Sequence, residues 1–304
     1  MRLRGFKIGG LMALLCLALC SCAPNPPDVV VIGSKMDTEG AILGYIQLVA
    51  LQRAGLKVED RIETGPTLIV RQALLAGEID GYLEYTGTAL VNFMGLQDRT
   101  VLTDPALGYR TIQRWDARHH QIVWLHPWSG INNTYTLLMK AEAARRLGLA
   151  SISDLAAYLA GGRSFRLAAD HEFAARPDGL AGLLHSYGLD SLPNLEIVQM
   201  DPGLVYQALD QGSVEAAIGY STDGRIAALH LIRLRDDRHY FPVYNPTPTY
   251  RKAVLDRFPQ IASILNKIAG RITADEITTM NYRHDVRLER ARKLAEEWLN
   301  AHGF

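Results

Sequence analysis

Short apolar runs alternate with amphipathic helical spacings along almost the whole chain, and this alternation constrains the fold most. The first run, Val29-Val30-Val31-Ile32-Gly33, contains no polar side chain, as a strand buried on both faces requires. Thr38 is placed to cap a helix over 39–54, where Ile42, Ile46 and Val49 recur at helical spacing and Gly55 supplies the stop. Residues 57–61 read as the next strand. Pro66 opens a helix that ends at Ala76-Gly77. A third strand is predicted over 79–84, a long helix around 105–119 and a fourth strand over 121–125. The same grammar restarts after residue 130, with strands at 135–139, 165–169, 195–199, 214–219 and 229–234. Helices over 154–159, capped by Ser153, 178–187 and 204–209 lie between them. From Thr249 onward, helices over 249–257, 259–269, 274–284 and 286–301 form a tail. Strands alternating with helices predict parallel sheets covered on both faces. The expectation is an α/β protein of two lobes, residues 28–131 plus 233–304 in the first and 132–232 in the second, with the tail packed on the first.

The N-terminus bears on the compartment. Arg2, Arg4 and Lys7 precede an apolar run over 8–19, too short for a comfortable membrane span. It ends in Leu19-Cys20-Ser21-Cys22, which resembles a bacterial lipobox with Cys22 as the lipidated residue. Residues 1–21 are then a lipoprotein signal peptide and 22–27, rich in proline, a tether. An extracytoplasmic protein anchored to a membrane by lipid is expected. Cys16, Cys20 and Cys22 are the only cysteines, so the mature domain has neither a disulfide nor a cysteine metal site. Cleavage removes three basic residues and no acid, taking the formal charge from 0 to −3. Neither value suggests a nucleic-acid partner.

In α/β sheets, ligands gather where strands end and helices begin. Such ends are read at 34–39, at Glu84-Tyr85-Thr86-Gly87-Thr88, at Asn132-Asn133-Thr134-Tyr135 and at 220–225. A fifth stretch, Phe241-Pro242-Val243-Tyr244-Asn245-Pro246, reads as a proline-bounded loop. Four of the five bring a tyrosine flanked by Thr, Ser or Asn. Taken singly, any of these tyrosines is as readily a core residue with a bonded hydroxyl. Asp37 and Glu39 have no nucleophile or histidine beside them, so catalysis is not expected. The nine histidines form no metal-binding spacing, and no cofactor is predicted.

Six stretches together resemble one family, the substrate-binding proteins of ABC importers for glycine betaine, carnitine and choline. They are IGSKMDTEGAILG, VRQALLAGEIDGYLEYTGTAL, NNTYTLLM, EFAARPDGLAGLLHSYGL, AAIGYSTDGRIAAL and FPVYNPTP. They follow the family's order and cover nearly the whole mature chain. The resemblance implies a two-lobed periplasmic-binding-protein fold of type II with two hinge crossings. It implies a monomeric receptor that delivers a small quaternary amine to an ABC permease. It assigns Tyr85, Thr88, Tyr135, Tyr220 and Tyr244 to the ligand, with Thr38, Glu39 and Asp223 as further polar contacts. A quaternary ammonium has no N–H to donate, and its diffuse charge and methyl surface suit aromatic faces. Gly40 stands where many members carry a glutamine that holds the ligand's polar end, which leaves the choice among betaine, choline and related compounds open. Two other readings remain at this level. One is a binder of another small amine or amino acid that uses Glu84, Asp223 or Glu172 as acceptor. The other is a secreted α/β enzyme.

Overall fold

The computed structural model describes residues 28–304. The segments read from the sequence as a signal peptide (1–21) and a tether (22–27), with Cys22, lie outside the described residues. The first lobe opens with β1 (Val29–Lys35), α1 (Thr38–Arg53), β2 (Lys57–Gly65), α2 (Thr67–Ala76) and β3 (Gly81–Tyr85). It continues through α3 (Thr86–Asn92), α4 (Arg99–Thr103), α5 (Pro105–His119) and β4 (Ile122–Trp124). The second lobe holds β5 (Tyr135–Lys140), α6 (Ala141–Leu147), α7 (Ile152–Ala160), β6 (Phe165–Asp170) and α8 (His171–Ala175). It is completed by α9 (Leu180–Tyr187), β7 (Leu195–Met200), α10 (Pro202–Asp210), β8 (Ala216–Tyr220), α11 (Arg225–Ala228) and β9 (Leu231–Leu234). The chain then returns through β10 (Pro246–Arg251) to α12 (Lys252–Arg257), α13 (Gln260–Ile268), α14 (Ala274–Asp285) and α15 (Ala291–Ala301).

Each lobe has one five-stranded sheet, ordered β2-β1-β3-β10-β4 and β7-β6-β8-β5-β9. Both are mixed, where the sequence pattern predicts parallel sheets. The strands that run against their neighbours are β10, antiparallel to β3 and β4, and β5, antiparallel to β8 and β9. These are the two strands that arrive directly from the other lobe, so each traverses its sheet from the cleft outward. The crossing segments are bonded to each other. Asn133 N–H donates to the Tyr244 carbonyl at 3.1 Å, and the Asn245 amide donates to the Ile131 carbonyl at 2.7 Å.

Several boundaries differ from the sequence pattern. A return to the first lobe at residue 233 would cut β9, which pairs with β5 in the second sheet. Tyr240, Phe241 and Tyr244 also pack with the second lobe's core, so the chain re-crosses only towards β10. A helix predicted from residue 249 begins instead at Lys252, because 249–251 complete β10. The caps differ too. The Asp37 carboxylate, not Thr38, accepts the Gly40 N–H at 2.7 Å, and Ser151 rather than Ser153 caps α7 in a capping box with Asp154.

Alternation along β1 splits the first lobe's core. Val30 and Ile32 face α1, the C-terminal helices and Trp298, whereas Val31 packs with α2, α3 and Trp124 on the other face. The C-terminal helices therefore cover the first lobe, as the tail pattern predicts.

Candidate functional site: an aromatic and acidic cavity between the lobes

The parallel strands of both sheets end at the cleft between the lobes. Lys35 ends β1, Tyr85 ends β3 and Tyr220 ends β8, while Tyr135 begins β5. Around these ends lies a cavity of about 760 Å3. All eight predicted contacts, Tyr85, Thr88, Tyr135, Tyr220, Tyr244, Thr38, Glu39 and Asp223, line it.

Three of the tyrosines form one wall. The Tyr135 ring lies 5.0 Å from Tyr220 and 5.9 Å from Tyr244, nearly perpendicular to the latter at 86°. Phe173 backs Tyr135 at 4.6 Å. The Arg176 guanidinium lies 5.5 Å from the Tyr135 ring centre and 5.7 Å from that of Tyr244, and it is held by a bidentate bond to Asp178. Asp178 also accepts the Tyr244 hydroxyl at 2.7 Å. Gly87 lets the Tyr244 loop approach α3: a Cβ there would lie 2.7 Å from the Val243 carbonyl oxygen and 2.8 Å from the Tyr244 ring. Burial raises the pKa values of Tyr85, Tyr135, Tyr220 and Tyr244, so all four remain neutral rings at physiological pH.

Tyr85 belongs to the first lobe and is oriented by a carboxylate. Its hydroxyl donates to Glu39 at 2.8 Å. The same carboxylate accepts Thr222 Oγ1, from the second lobe, at 2.6 Å and the Asn281 amide, from α14, at 3.1 Å. Burial pushes the Glu39 carboxyl above its ordinary range, and these three donors pull the other way. Glu39 therefore joins three walls of the cavity, and its oxygens are committed to protein groups. Thr38 donates to Asp285 at 2.6 Å, and Asp223 is tied to Arg225 in a two-point pair at 2.9 and 2.5 Å.

The motif-bearing Glu84 does not reach the cavity. It is fully buried, paired with Lys35 at 2.6 Å, and it accepts the Tyr82 hydroxyl and the Tyr85 N–H. It anchors the end of β3 beneath Tyr85. Glu172 does line the cavity and accepts the Thr67 hydroxyl at 3.1 Å, another bond between the lobes. Asp37, Asn133, Asn281 and Asp285 also line the cavity, and the sequence reading assigns none of them to the ligand. Asp37 and Asn133 lie inside stretches already marked as strand ends. Nothing in the local pattern points to Asn281 or Asp285, which arrive on a helix more than 240 residues away in sequence from Thr38 and Glu39.

Six carboxyl groups line the cavity (Asp37, Glu39, Glu172, Asp201, Asp223 and Asp285) beside the basic Lys35 and Arg225, and burial pushes Asp37, Glu39 and Asp285 above the ordinary carboxylate range. Rings and excess negative charge make a receptor for a soft cation. Among the described residues, no group of three or more His, Cys, Asp or Glu could hold a metal ion.

The family model for the substrate-binding domain of ABC-type glycine betaine transport systems matches residues 28–301. The chain is 37% identical over 297 residues to a glycine-betaine-binding protein of Pseudomonas aeruginosa, covering 96% of this chain and 93% of the relative. It is 34% identical over 302 residues to the glycine betaine-binding protein YehZ of Escherichia coli K12, covering 97% of each. Among solved structures it is similar to a glycine betaine/carnitine/choline ABC transporter protein. That match has a TM-score of 0.76 at 28% identity, over 90% of this chain and 98% of the other.

Proposed function

The chain belongs to the family of substrate-binding domains of ABC-type glycine betaine transport systems, and from that premise we propose that its inter-lobe cavity captures a small quaternary-ammonium solute in a cage of Tyr85, Tyr135, Tyr220 and Tyr244. As a family member it is an extracytoplasmic binding protein that serves an ABC importer and is not an enzyme. The observation that carries the cage is the convergence of four neutral phenol rings from both lobes on one acidic cavity. Each desolvated ring contributes about 2 kcal/mol towards a cation, so four rings could supply much of the roughly −8 kcal/mol of micromolar binding. The primary-amine reading loses Glu84, which is buried against Lys35. Asp223 is already paired with Arg225.

Calorimetry on ring variants tests the cage. Leu at Tyr135 or Tyr220 keeps apolar bulk and removes the π face, and should cost about 1–2 kcal/mol, or roughly five- to thirtyfold in affinity. Phe should be mild at Tyr220. At Tyr85 and Tyr244 it should cost about 1–3 kcal/mol, because it strips a buried carboxylate, Glu39 or Asp178, of a donor. Intact binding in Tyr135→Leu and Tyr220→Leu, together with loss of binding in Asp223→Asn, would sink the cage.

The protein is further proposed to be held at the membrane by a lipid on Cys22, supported by the Leu19-Cys20-Ser21-Cys22 pattern behind a short apolar run. Mass spectrometry of the native N-terminus should find an acylated Cys22. A free N-terminus beyond residue 22 would rule the anchor out.

A further inference from the structure

Building on the cage reading above, we propose that the cavity selects quaternary amines whose remaining part is neutral and donates hydrogen bonds, as an amino alcohol does, over zwitterions that end in a carboxylate. The positive groups around the cavity are already committed. Lys35 is buried against Glu84 at 2.6 Å. Arg225 makes its two-point pair with Asp223 and lies 3.7 Å from Asp285. Arg176, behind the rings, is bidentate on Asp178. A ligand carboxylate would meet only cations that a protein carboxylate already neutralises, and it would add a second negative charge to that pair. The one other base is His171, exposed at the mouth.

Helix starts are the other usual seats for an anion, and three of those at the cavity have one of the protein's own carboxylates beside them, whereas α3 starts at Tyr85 without one. Asp37 caps α1, Glu172 sits on the Thr67 hydroxyl at the start of α2, and Asp201 precedes α10. All three line the cavity. A ligand carboxylate placed at any of them would meet like charge.

Two neutral oxygens at the cavity take no hydrogen bond from the protein. Thr88 is 5% exposed and lines the cavity, and its hydroxyl bonds to no other described residue. Asn133 also lines the cavity, and its Oδ1 is buried and takes no hydrogen bond from the protein. A buried acceptor in this state favours a partner that brings a proton, and a hydroxyl does so while a carboxylate does not.

The test is isothermal titration calorimetry of the mature protein with choline, glycine betaine and tetramethylammonium. Choline should bind about tenfold or more tightly than glycine betaine. The double variant Asp37→Asn/Glu172→Gln removes two charges while Asn still caps α1. It should weaken choline by about three- to tenfold and narrow the preference. Glycine betaine binding as tightly as choline, or a preference unchanged in the double variant, would overturn the inference while the cage reading stands. If none of the three ligands binds, the cage reading falls and takes the inference with it.

Discussion

Glu39 shows how much a single side chain can do here. It receives Tyr85 and Asn281 from its own lobe and Thr222 from the other. Opening the cleft must break the Thr222 bond and leaves the other two in place. Thr222→Val removes only that hydroxyl, with little change in volume. It should cost about 1 kcal/mol of closure, read as a roughly fivefold loss of affinity through faster ligand release. The melting temperature should hardly change, because each lobe keeps its core. Stopped-flow rates alongside a thermal melt check this. An unchanged release rate, or a fall in stability without a change in binding, would assign Thr222 to structure alone. At this scale the sequence was informative where residues lie together. Tyr85, Thr88 and Tyr220 sit in strand-end stretches whose Gly, Thr and Ser content is not needed by a core. It was silent on Asn281 and Asp285, since a polar residue on an amphipathic helix looks solvated until tertiary packing brings it to the cleft.

The elements show the same division. Strands with continuous apolar runs, such as β1, β6 and β8, were legible because burial on both faces leaves no other composition. The strand β10 was not, because Pro246 and Pro248 argue against a strand in the middle of a sheet. The fold resolves this through geometry. The carbonyls of both prolines point to the β4 side, where they accept Trp128 N–H at 2.8 Å and Leu125 N–H at 2.9 Å. Their missing N–H groups therefore fall on that side, where the β4 ladder pairs only residues 249–251. The short α3 was also hidden: it follows β3 with no intervening loop, and Tyr85 serves as its N-cap without a side-chain bond. Gly87 sits in its first turn under the Tyr244 loop. Gly87→Ala would drive a methyl into the Val243 carbonyl and the Tyr244 ring. The expected cost is about 1–3 kcal/mol of stability, together with a loss of ligand affinity as Tyr244 shifts. Chemical denaturation and calorimetry on the same variant should move together. A variant as stable as the parent would mean that the loop yields freely and does not depend on the glycine.

At the scale of the whole molecule, two α/β lobes are joined by paired crossings, and the cavity is made only where they face each other. The two-lobed architecture followed from the alternation of strands and helices. The point of return did not, because the apolar run at 229–234 carries no sign of which sheet it will join, and pairing with β5 decides it. A ligand that touches rings from both lobes binds the closed arrangement better and shifts the population towards it. That action depends on the cage recognising methylated nitrogen, which is the central claim. The most direct measurement is calorimetry with two ligand pairs that differ only in methylation, choline against ethanolamine and glycine betaine against glycine. Each methylated member should bind at least about tenfold more tightly than its unmethylated partner, since the rings favour a diffuse, weakly hydrated cation over an N–H donor that water holds. Equal or tighter binding of ethanolamine and glycine would contradict the account, and would mean that carboxylates rather than ring faces hold the amine.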